Sequence, residues 1–164
     1  MLLKSKYTFW VSTQRTQTKI DKDNYNDNLY QVCKFETAEQ FWMYYQWIAK
    51  PSTIPEGCQI LLFQEEIQPM WEDKANQNGG RFVFRCKNNV DRVWENILLS
   101  YIGNQCTYNE FVCGVVVNQK RSFTQVSIWV KNMTSYQTQE DKIIQWVKEM
   151  FGINELEFVQ HPKS

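Results

Sequence analysis

Eighteen lysine and arginine residues balance eighteen aspartate and glutamate residues in a chain of 164, so the formal net charge is zero. The length predicts a single domain, residues 1–164, with a sizeable core, and the charge balance excludes non-specific attraction to long nucleic acid, which needs a basic excess. Aromatic residues make up 15% of the chain, and those outside the core pattern are candidates for stacking on a ligand.

The cysteines and the single histidine do not form a reactive or metal-binding set. The five cysteines are scattered, form no Cys-x-x-Cys pair and follow no secretory signal sequence, which predicts free thiols in the cytoplasm or the nucleus. His161 falls in a C-terminal tail, residues 161–164, that we expect to be frayed. We therefore expect no enzyme activity, no metal site, no cofactor and no membrane span.

The first half of the chain predicts four strands and one helix. Thr37 and Gln40 have the spacing of a capping box, which predicts a helix that continues to Ile48. Alternating apolar residues indicate the strands. These strands cover residues 7–11, 29–35, 59–63 and 81–85, and a polar loop, residues 14–28, follows the first.

The second half predicts two more helices and three more strands. Asn89 starts one helix, which Gly103 ends. Thr138 with Asp141 caps the other, which Gly152 ends. Several connections are too short for parallel crossovers, so we expect an α+β fold: a curved antiparallel sheet of about eight strands with three helices on one face. The strands cover residues 111–118, 124–130 and 155–160.

Two neighbouring apolar stripes run along the first predicted helix. Phe41 and Tyr44 belong to one stripe, and Trp42 and Tyr45 belong to the other, about 100° around the helix. If one stripe packs on the sheet, the other stays available, which makes Trp42 a candidate for an exposed patch that binds a partner helix. The alternative is a single broad buried face.

The segment QPMWEDKANQNGGR, residues 68–81, interrupts the strand pattern and predicts a binding loop. Pro69 precedes Trp71 and two glycines follow it, so Trp71 has no regular element in which to bury. Glu72 provides a carboxylate beside this ring, an arrangement that suits a purine with two N–H donors. The alternative is that Trp71 folds back onto the core and Glu72 lies in a solvated turn.

Further candidates lie on the strand faces that point away from the helices. Phe82 belongs to the apolar face of its strand, so Arg81 points the other way at the mouth of the loop. Trp129 shares its face with Ser127, among polar residues. Tyr25 is the single aromatic residue of the polar loop, where it either covers apolar surface or joins the ligand site.

Together these side chains describe one ligand. Two aromatic planes bind a flat ring between them, each contributing roughly 1–3 kcal/mol, and a positive charge on that ring adds a cation–π attraction. A carboxylate accepts both N–H donors at the edge of guanine, and basic side chains bind phosphates. The combination predicts 7-methylguanosine triphosphate, the 5′ cap of mRNA. The predicted cap-binding residues are Tyr25, Trp71, Glu72, Trp129, Arg81, Lys120 and Arg121, the last included for its proximity to the others.

The same stretches resemble a known family. The segment PMWEDKANQNGGR, with KFETAEQFW before it and VCGVVV and IWV after it, resembles the cap-binding translation initiation factor 4E family over nearly the whole chain. The resemblance implies a curved antiparallel sheet with three helices on its convex face. It assigns Trp71 and Tyr25 to stacking, Glu72 to the base edge, Trp129 to the methyl group, and Arg81 and Lys120 to phosphate.

Two departures from the family pattern bear on affinity. Tyr25 stands where most members have tryptophan, as in the 4E-homologous branch, whose best-known members repress translation. Gln125 stands where a phosphate-binding lysine is usual. Both changes are expected to weaken cap binding, so the alternative function is a protein-interaction module of the same fold with weak or lost cap affinity.

The resemblance also implies a protein partner. A scaffold or repressor protein would dock a helix of the Tyr-x4-Leu-apolar type on the convex face, with Trp42 as the anchor and Ala38 and Leu99 beside it. Ala38 and Glu95 replace apolar residues that the family usually carries there. The identity of the partner, and with it the choice between initiating and repressing translation, is therefore left open.

Overall fold

The computed structural model describes residues 1–13, 28–105, 109–131 and 137–161, and within them seven strands and three α-helices. The strands are β1 (Leu2–Thr13), β2 (Leu29–Thr37), β3 (Cys58–Gln64), β4 (Gly80–Cys86), β5 (Val112–Gln119), β6 (Thr124–Val130) and β7 (Glu157–Gln160). The helices are α1 (Ala38–Tyr45), α2 (Val90–Ile102) and α3 (Gln137–Phe151). The predicted α+β class is confirmed, and the strand count is close to the eight expected.

All of these strands belong to one antiparallel sheet, in the order β2-β1-β3-β5-β6-β4-β7. Strands β5 and β6 are joined by a short turn, where the Lys120 backbone N–H donates to the Phe123 carbonyl at 2.9 Å. Strand β7 pairs with β4 over the first part of β4 only, from Gly80 to Val83. Strands β1, β3, β5, β6 and β4 are therefore each paired with two neighbours, and β2 and β7 form the edges of the sheet.

Alternation along the strands gives the sheet two different faces. On β4, Phe82 and Phe84 are buried in the main core, whereas Arg81 and Arg85 point to the opposite side, as the sequence predicts. We call the side that packs against the helices the helical face and the other the helix-free face. The helices bury these side chains on the helical face: Phe41 and Tyr45 of α1, Trp94, Ile97, Leu98 and Tyr101 of α2, and Ile143 and Val147 of α3.

A second, smaller apolar cluster covers part of the helix-free face. Leu61 and Phe63 of β3 are fully buried there, and Ile67 and Ala75 fold back on them from the segment between β3 and β4. This packing joins residues that are distant along the chain, so periodicity within one strand does not reveal it. Trp129 also packs on this cluster.

The start of α1 agrees with the predicted capping box, but its end does not. The Thr37 hydroxyl accepts from the Gln40 backbone N–H at 3.1 Å, and the Gln40 side-chain oxygen accepts from the Glu36 N–H at 2.9 Å. The helix ends at Tyr45 instead of Ile48. The Ile48 N–H bonds to the Tyr45 carbonyl three residues back, so the chain tightens into a 3₁₀-type turn before Pro51.

The ends of the other helices follow the sequence within one or two residues. Helix α3 begins at Gln137, so Thr138 lies inside its first turn and the prediction of Thr138 as the cap is wrong by that margin. Gly152 ends α3 with a φ of 64°, a conformation that glycine adopts without strain. None of the described helices has the length and apolar character needed to cross a membrane.

Candidate functional site

The segment between β3 and β4, residues 65–79, forms a loop that its own polar side chains hold together; we call it the Trp71 loop. The Asp73 carboxylate accepts from the backbone N–H groups of Gln68 and Ala75, both at 2.9 Å. Asn76 is fully buried, and its side-chain NH₂ donates to the carbonyls of Gln68 at 2.9 Å and Met70 at 2.8 Å. The bonds from Asp73 and Asn76 bracket Trp71, so the loop presents this residue from a defined backbone.

Unlike Asp73 and Asn76, Trp71 and Glu72 have side chains that do not hold the loop together. Trp71 is half-buried and belongs to neither apolar cluster, and Glu72 is exposed. In the described part of the chain, no hydrogen bond or ion pair engages the Glu72 carboxylate; its backbone carbonyl accepts from Gln77 at 3.0 Å. Asp73 is thus the turn-forming acid, and Glu72 keeps an acceptor that can meet a ligand.

Arg81 and Trp129 lie side by side on the helix-free face. They are cross-strand neighbours between β4 and β6, and the Trp129 ring packs edge-on against Phe63, with ring centres 5.4 Å apart and planes at 84°. Both side chains are half-buried. Their position next to the end of the Trp71 loop places an aromatic ring and a cation together at one end of this face.

The guanidinium of Arg81 is partly removed from water without a carboxylate beside it. Burial lowers its pKa. The ion pairs among the described residues are Met1–Glu39, Lys6–Glu36 and Lys34–Glu65, none of which involves Arg81. A desolvated and unpaired cation is costly to the protein alone. An arginine in this setting is suited to an anion, above all a phosphate that its planar group can bind with two hydrogen bonds.

Lys120 and Arg121 lie at the other end of β6, in its turn with β5. Trp129 is five residues along β6 from Thr124, where the strand begins after this turn, a distance of roughly 17 Å. One small group cannot touch both ends, so a ligand that uses Trp129 and Lys120 has to run along the strand. Lys120 is half-buried and Arg121 is exposed.

A further cation, Arg85, lies between these ends and received no role from the sequence. Arg85 is the cross-strand neighbour of Gln125, and its guanidinium carbon lies 4.3 Å from the centre of the Phe123 ring, a cation–π contact that orients it. The signal was present, because the alternation that places Arg81 on the helix-free face places Arg85 there too.

His161 is the second residue that sequence reasoning missed. It is 2% exposed, so the expectation that residue 161 belongs to a frayed tail is wrong. Its ring centre lies 4.6 Å from that of Trp129. Burial lowers its pKa, the bond to the Asn76 carbonyl partly offsets this, and the nearby charge of Arg81 lowers it again. A single histidine after a short strand carries no sequence signal of such a position.

The remaining predicted ligand residue, Tyr25, lies outside the described residues. No group of three or more histidine, cysteine, aspartate or glutamate side chains in the described part could hold a metal ion. The described cysteines are free, and burial raises the pKa of the Cys113 thiol to about 12.

The predicted partner surface lies on the helical side of the molecule. Trp42 is 48% exposed and packs edge-on against Phe41 and Tyr45, at 5.1 Å and 5.9 Å between ring centres, so it is not part of a fully buried face. Ala38 and Leu99 are half-buried. The exposed half of the Trp42 ring is available to a partner.

An open groove of about 590 Å³ passes next to this surface, between α1 and α2. Lys50 lies over the Tyr45 ring, with its ammonium nitrogen 3.3 Å from the ring centre. Burial raises the pKa of Tyr45 to about 12, and the carboxylates of Glu95 and Asp91 add to the effect. The groove is lined by Tyr45, Lys50, Asp91, Arg92, Glu95 and Asn96.

Comparison with known proteins supports the resemblance of the sequence to one family. The family described as "Eukaryotic initiation factor 4E" matches residues 2–164. The chain is 35% identical over 136 residues to the "Eukaryotic translation initiation factor NCBP" of Triticum aestivum, a match that covers 82% of this chain and 58% of that protein. It is 31% identical over 160 residues to the "Eukaryotic translation initiation factor 4E-1" of Arabidopsis thaliana, covering 97% and 67%. The chain spans about three fifths of the length of the NCBP relatives.

Solved structures agree in fold along almost the whole chain. Ascaris suum eIF4E-3 in complex with the m2,2,7G cap is 28% identical with a TM-score of 0.87, over 99% of this chain and 92% of that one. Caenorhabditis elegans eIF4E-3, solved with the 4E-binding protein Mextli and a cap analog, is 28% identical with a TM-score of 0.85, over 96% and 91%. The chain therefore belongs to the eukaryotic initiation factor 4E family.

Proposed function

We propose that this protein binds the 7-methylguanosine 5′ cap of mRNA on the helix-free face of its sheet and acts in translation initiation or its repression. The observation that carries the proposal is the Arg81 guanidinium, half-buried and without a carboxylate partner among the described residues, next to Trp129. Relatives solved with cap analogs support the choice of ligand.

The base of the ligand would be held by the Trp71 loop. Trp71 offers one stacking surface, and Tyr25 is the proposed second. The methylated guanine carries a delocalised positive charge, which strengthens stacking between two electron-rich rings. The free carboxylate of Glu72 would accept the two N–H donors at the edge of the base, and Trp129 would contact the methyl group.

The phosphates would follow β6 from Trp129 towards the turn with β5. Arg81 meets them first, and Lys120 with Arg121 meets them at the far end. Arg85 supplies a further cation near the turn end of this path, directly across from Gln125, the second residue of β6. Cross-strand neighbours are about 4.5–5.5 Å apart at their Cα atoms, so Arg85 can supply the charge that Gln125 lacks. This favours cap binding over the alternative of a module that has lost it.

A titration with tryptophan fluorescence tests the ligand. We expect 7-methyl-GTP to quench emission and to bind clearly more tightly than GTP, because only the methylated base brings a cation to the rings. Glu72→Ala should cost about 1.5–3 kcal/mol of binding, as expected for the loss of a charged acceptor. Glu66→Ala, at an exposed acid of the same loop, is the matched control and should change little. Equal weak binding of both nucleotides would favour the interaction-only alternative.

We propose a second binding partner for the helical side: a protein whose Tyr-x4-Leu-apolar helix docks on Trp42, Ala38 and Leu99. The half-exposed ring of Trp42 supports this, as does the relative solved with the binding protein Mextli. Glu95 lines the adjacent groove, which favours a partner helix with a basic residue near its apolar anchor.

A peptide-binding assay tests this partner surface. Trp42→Ala should abolish binding of a Tyr-x4-Leu-apolar peptide and leave 7-methyl-GTP affinity intact, because the two surfaces lie on opposite sides of the sheet. Trp47→Ala is the control: Trp47 is 83% exposed and follows α1. If Trp47→Ala abolishes binding and Trp42→Ala does not, the anchor is misassigned.

A further inference from the structure

We propose that His161 is a positioning residue of the cap site: its imidazole ties the Trp71 loop to Trp129, so that the stacking surface and the methyl contact keep a fixed relation. This rests on the proposed function, since it concerns the same site. It adds a residue that neither the sequence reasoning nor the family resemblance placed there.

The first step is the pair of hydrogen bonds between His161 and the end of the Trp71 loop. The imidazole Nδ1 lies 3.0 Å from the Asn76 carbonyl oxygen, and the His161 backbone N–H donates to the Gly79 carbonyl at 2.9 Å. A carbonyl oxygen can only accept, so Nδ1 carries the proton and Nε2 is the unprotonated nitrogen. The tautomer is thereby determined by the loop.

The second step is the position of Asn76 in the loop. Its side-chain NH₂ donates to the carbonyl of Met70, the residue before Trp71, at 2.8 Å. Two hydrogen bonds in series therefore connect the His161 ring to the backbone that carries Trp71. A shift of the imidazole is transmitted through Asn76 to the stacking residue.

The third step is the contact with Trp129. The His161 and Trp129 rings have centres 4.6 Å apart and planes inclined at 56°, and Phe63 holds the indole from another side at 5.4 Å. The position of Trp129 thus depends on His161, which also bonds to the Trp71 loop. Phe63 also contacts Trp129 and lies in one apolar cluster with Ile67 and Ala75 of the loop, whereas His161 reaches the loop through hydrogen bonds.

The cost of this arrangement indicates why histidine is present. Its Nε2 is buried and has no hydrogen-bond partner in the described part of the chain, a penalty that a phenylalanine of similar shape would avoid. The compensating advantage of the imidazole is the Nδ1–H bond to the loop.

Two substitutions test the aromatic ring of His161 and its hydrogen-bond donor independently. His161→Phe keeps a ring against Trp129 and removes the donor, whereas His161→Asn places an amide N–H where Nδ1 was and removes most of the ring. We expect His161→Phe to weaken 7-methyl-GTP binding about three- to tenfold, the equivalent of one hydrogen bond, and to narrow the preference over GTP. His161→Asn should recover part of the affinity that His161→Phe loses, because it returns a donor to the loop but not the ring contact with Trp129. Melting temperatures of both variants show how far each destabilises the fold.

The outcomes distinguish this inference from the proposed function. If the unaltered chain shows no preference for 7-methyl-GTP, the proposed function fails. If the unaltered chain binds selectively and His161→Phe binds 7-methyl-GTP equally well, only the role of His161 is overturned. The same conclusion follows if the loss of affinity in both variants is proportional to the fall in their melting temperatures.

An NMR measurement on the unaltered chain tests the role of His161 even if a variant does not fold. The sequence has one histidine, so the imidazole nitrogen signals in an NMR spectrum of untagged protein belong to His161 alone. We expect the Nδ1–H tautomer, with a shift of these signals when 7-methyl-GTP is added. An Nε2–H tautomer, or signals that ignore the ligand, would contradict the proposal.

Discussion

The two faces of the sheet are built from alternate residues of the same strands, yet they differ in what they leave unsatisfied. On the helical face, the Tyr101 hydroxyl, although buried, donates to the Cys113 carbonyl at 3.0 Å. The buried side-chain atoms that lack a hydrogen-bond partner in the described residues all lie on the helix-free side or in the segments that cover it. They are Thr8 Oγ1, Trp10 Nε1, Ser12 Oγ, Gln59 Oε1, Asn76 Oδ1 and His161 Nε2.

This difference between the faces indicates that the helical face provides stability and the helix-free face provides ligand binding. Native interiors rarely leave polar atoms unpaired, because each costs free energy. Here that cost, and the unpaired charge of Arg81, are concentrated on the side where we place the ligand, while the helices cover an apolar and satisfied surface. Five predictions test this division between the two faces.

The largest effect is expected on the helical face. Phe82 is fully buried there, so Phe82→Ala should cost about 3–5 kcal/mol of unfolding free energy in a urea titration. Val83 is the next residue, half-buried on the helix-free face, and Val83→Ala should cost clearly less, about 1 kcal/mol. Similar losses of unfolding free energy in Phe82→Ala and Val83→Ala would show that both faces contribute equally to stability.

Arg81→Gln should have the opposite signature. We expect it to cost about 1.5–3 kcal/mol of 7-methyl-GTP binding, because a charge-assisted bond to phosphate is lost. The unfolding free energy should stay constant or rise, since the substitution removes a desolvated charge that has no carboxylate partner. A fall in stability as large as the fall in affinity would mean that Arg81 has a structural role.

The Phe63 ring, which supports Trp129, leaves no room for a side chain at Gly114. A Cβ atom at Gly114 would lie 2.4 Å from atoms of the Phe63 ring, and this ring holds Trp129. Gly114→Ala should therefore cost about 1–3 kcal/mol of stability and change tryptophan emission in the folded state. Unchanged emission and stability would show that Phe63 can move without disturbing the site.

The pH dependence of stability should report on His161. Burial lowers its pKa in the folded protein, so below the ordinary histidine value of about 6.5 the unfolded chain takes up a proton that the folded chain does not. Its contribution is present above that pH and is lost as the pH falls through the lowered value.

Burial is the main cause of the lowered pKa of His161, and the charged groups on the elements that pack against it modify the shift. Arg81 opposes protonation; Glu72, Asp73 and Lys74 of the Trp71 loop and Lys131 after β6 are the other charges nearby in the chain. His161→Phe should flatten the acid limb of the stability profile between about pH 6.5 and the unfolding region. If the acid limb of the stability profile is identical in His161→Phe, the pH dependence arises from carboxylates instead.

Sequence reasoning succeeded where the period of one element carries the information. The alternation of Arg81, Phe82, Val83, Phe84 and Arg85 has a period of two, and it placed every one of these side chains on the correct face of β4. The roles of the predicted ligand residues were not tested by the fold and stay predictions; Tyr25 lies outside the described residues.

Sequence reasoning failed where contacts join distant parts of the chain. The packing of Ile67 and Ala75 onto the helix-free face, and of His161 beneath Trp129, depends on how the Trp71 loop folds back. No pattern within these segments encodes it. The end of α1 was missed for a local reason: the last turn changes from α to 3₁₀ bonding, which apolar spacing does not distinguish.

The smallest expected effect compares two cations of the helix-free side. Lys34 lies 3.3 Å from the Glu65 carboxylate, largely in solvent, so Lys34→Gln should change the unfolding free energy by less than about 0.5 kcal/mol and leave 7-methyl-GTP binding unaltered. Arg85 has no carboxylate partner among the described ion pairs. Arg85→Gln should therefore weaken 7-methyl-GTP binding, by about 0.5–1 kcal/mol for an exposed cation, and make it less sensitive to salt. Equal salt dependence in the two variants would remove Arg85 from the phosphate path and leave Gln125 uncompensated.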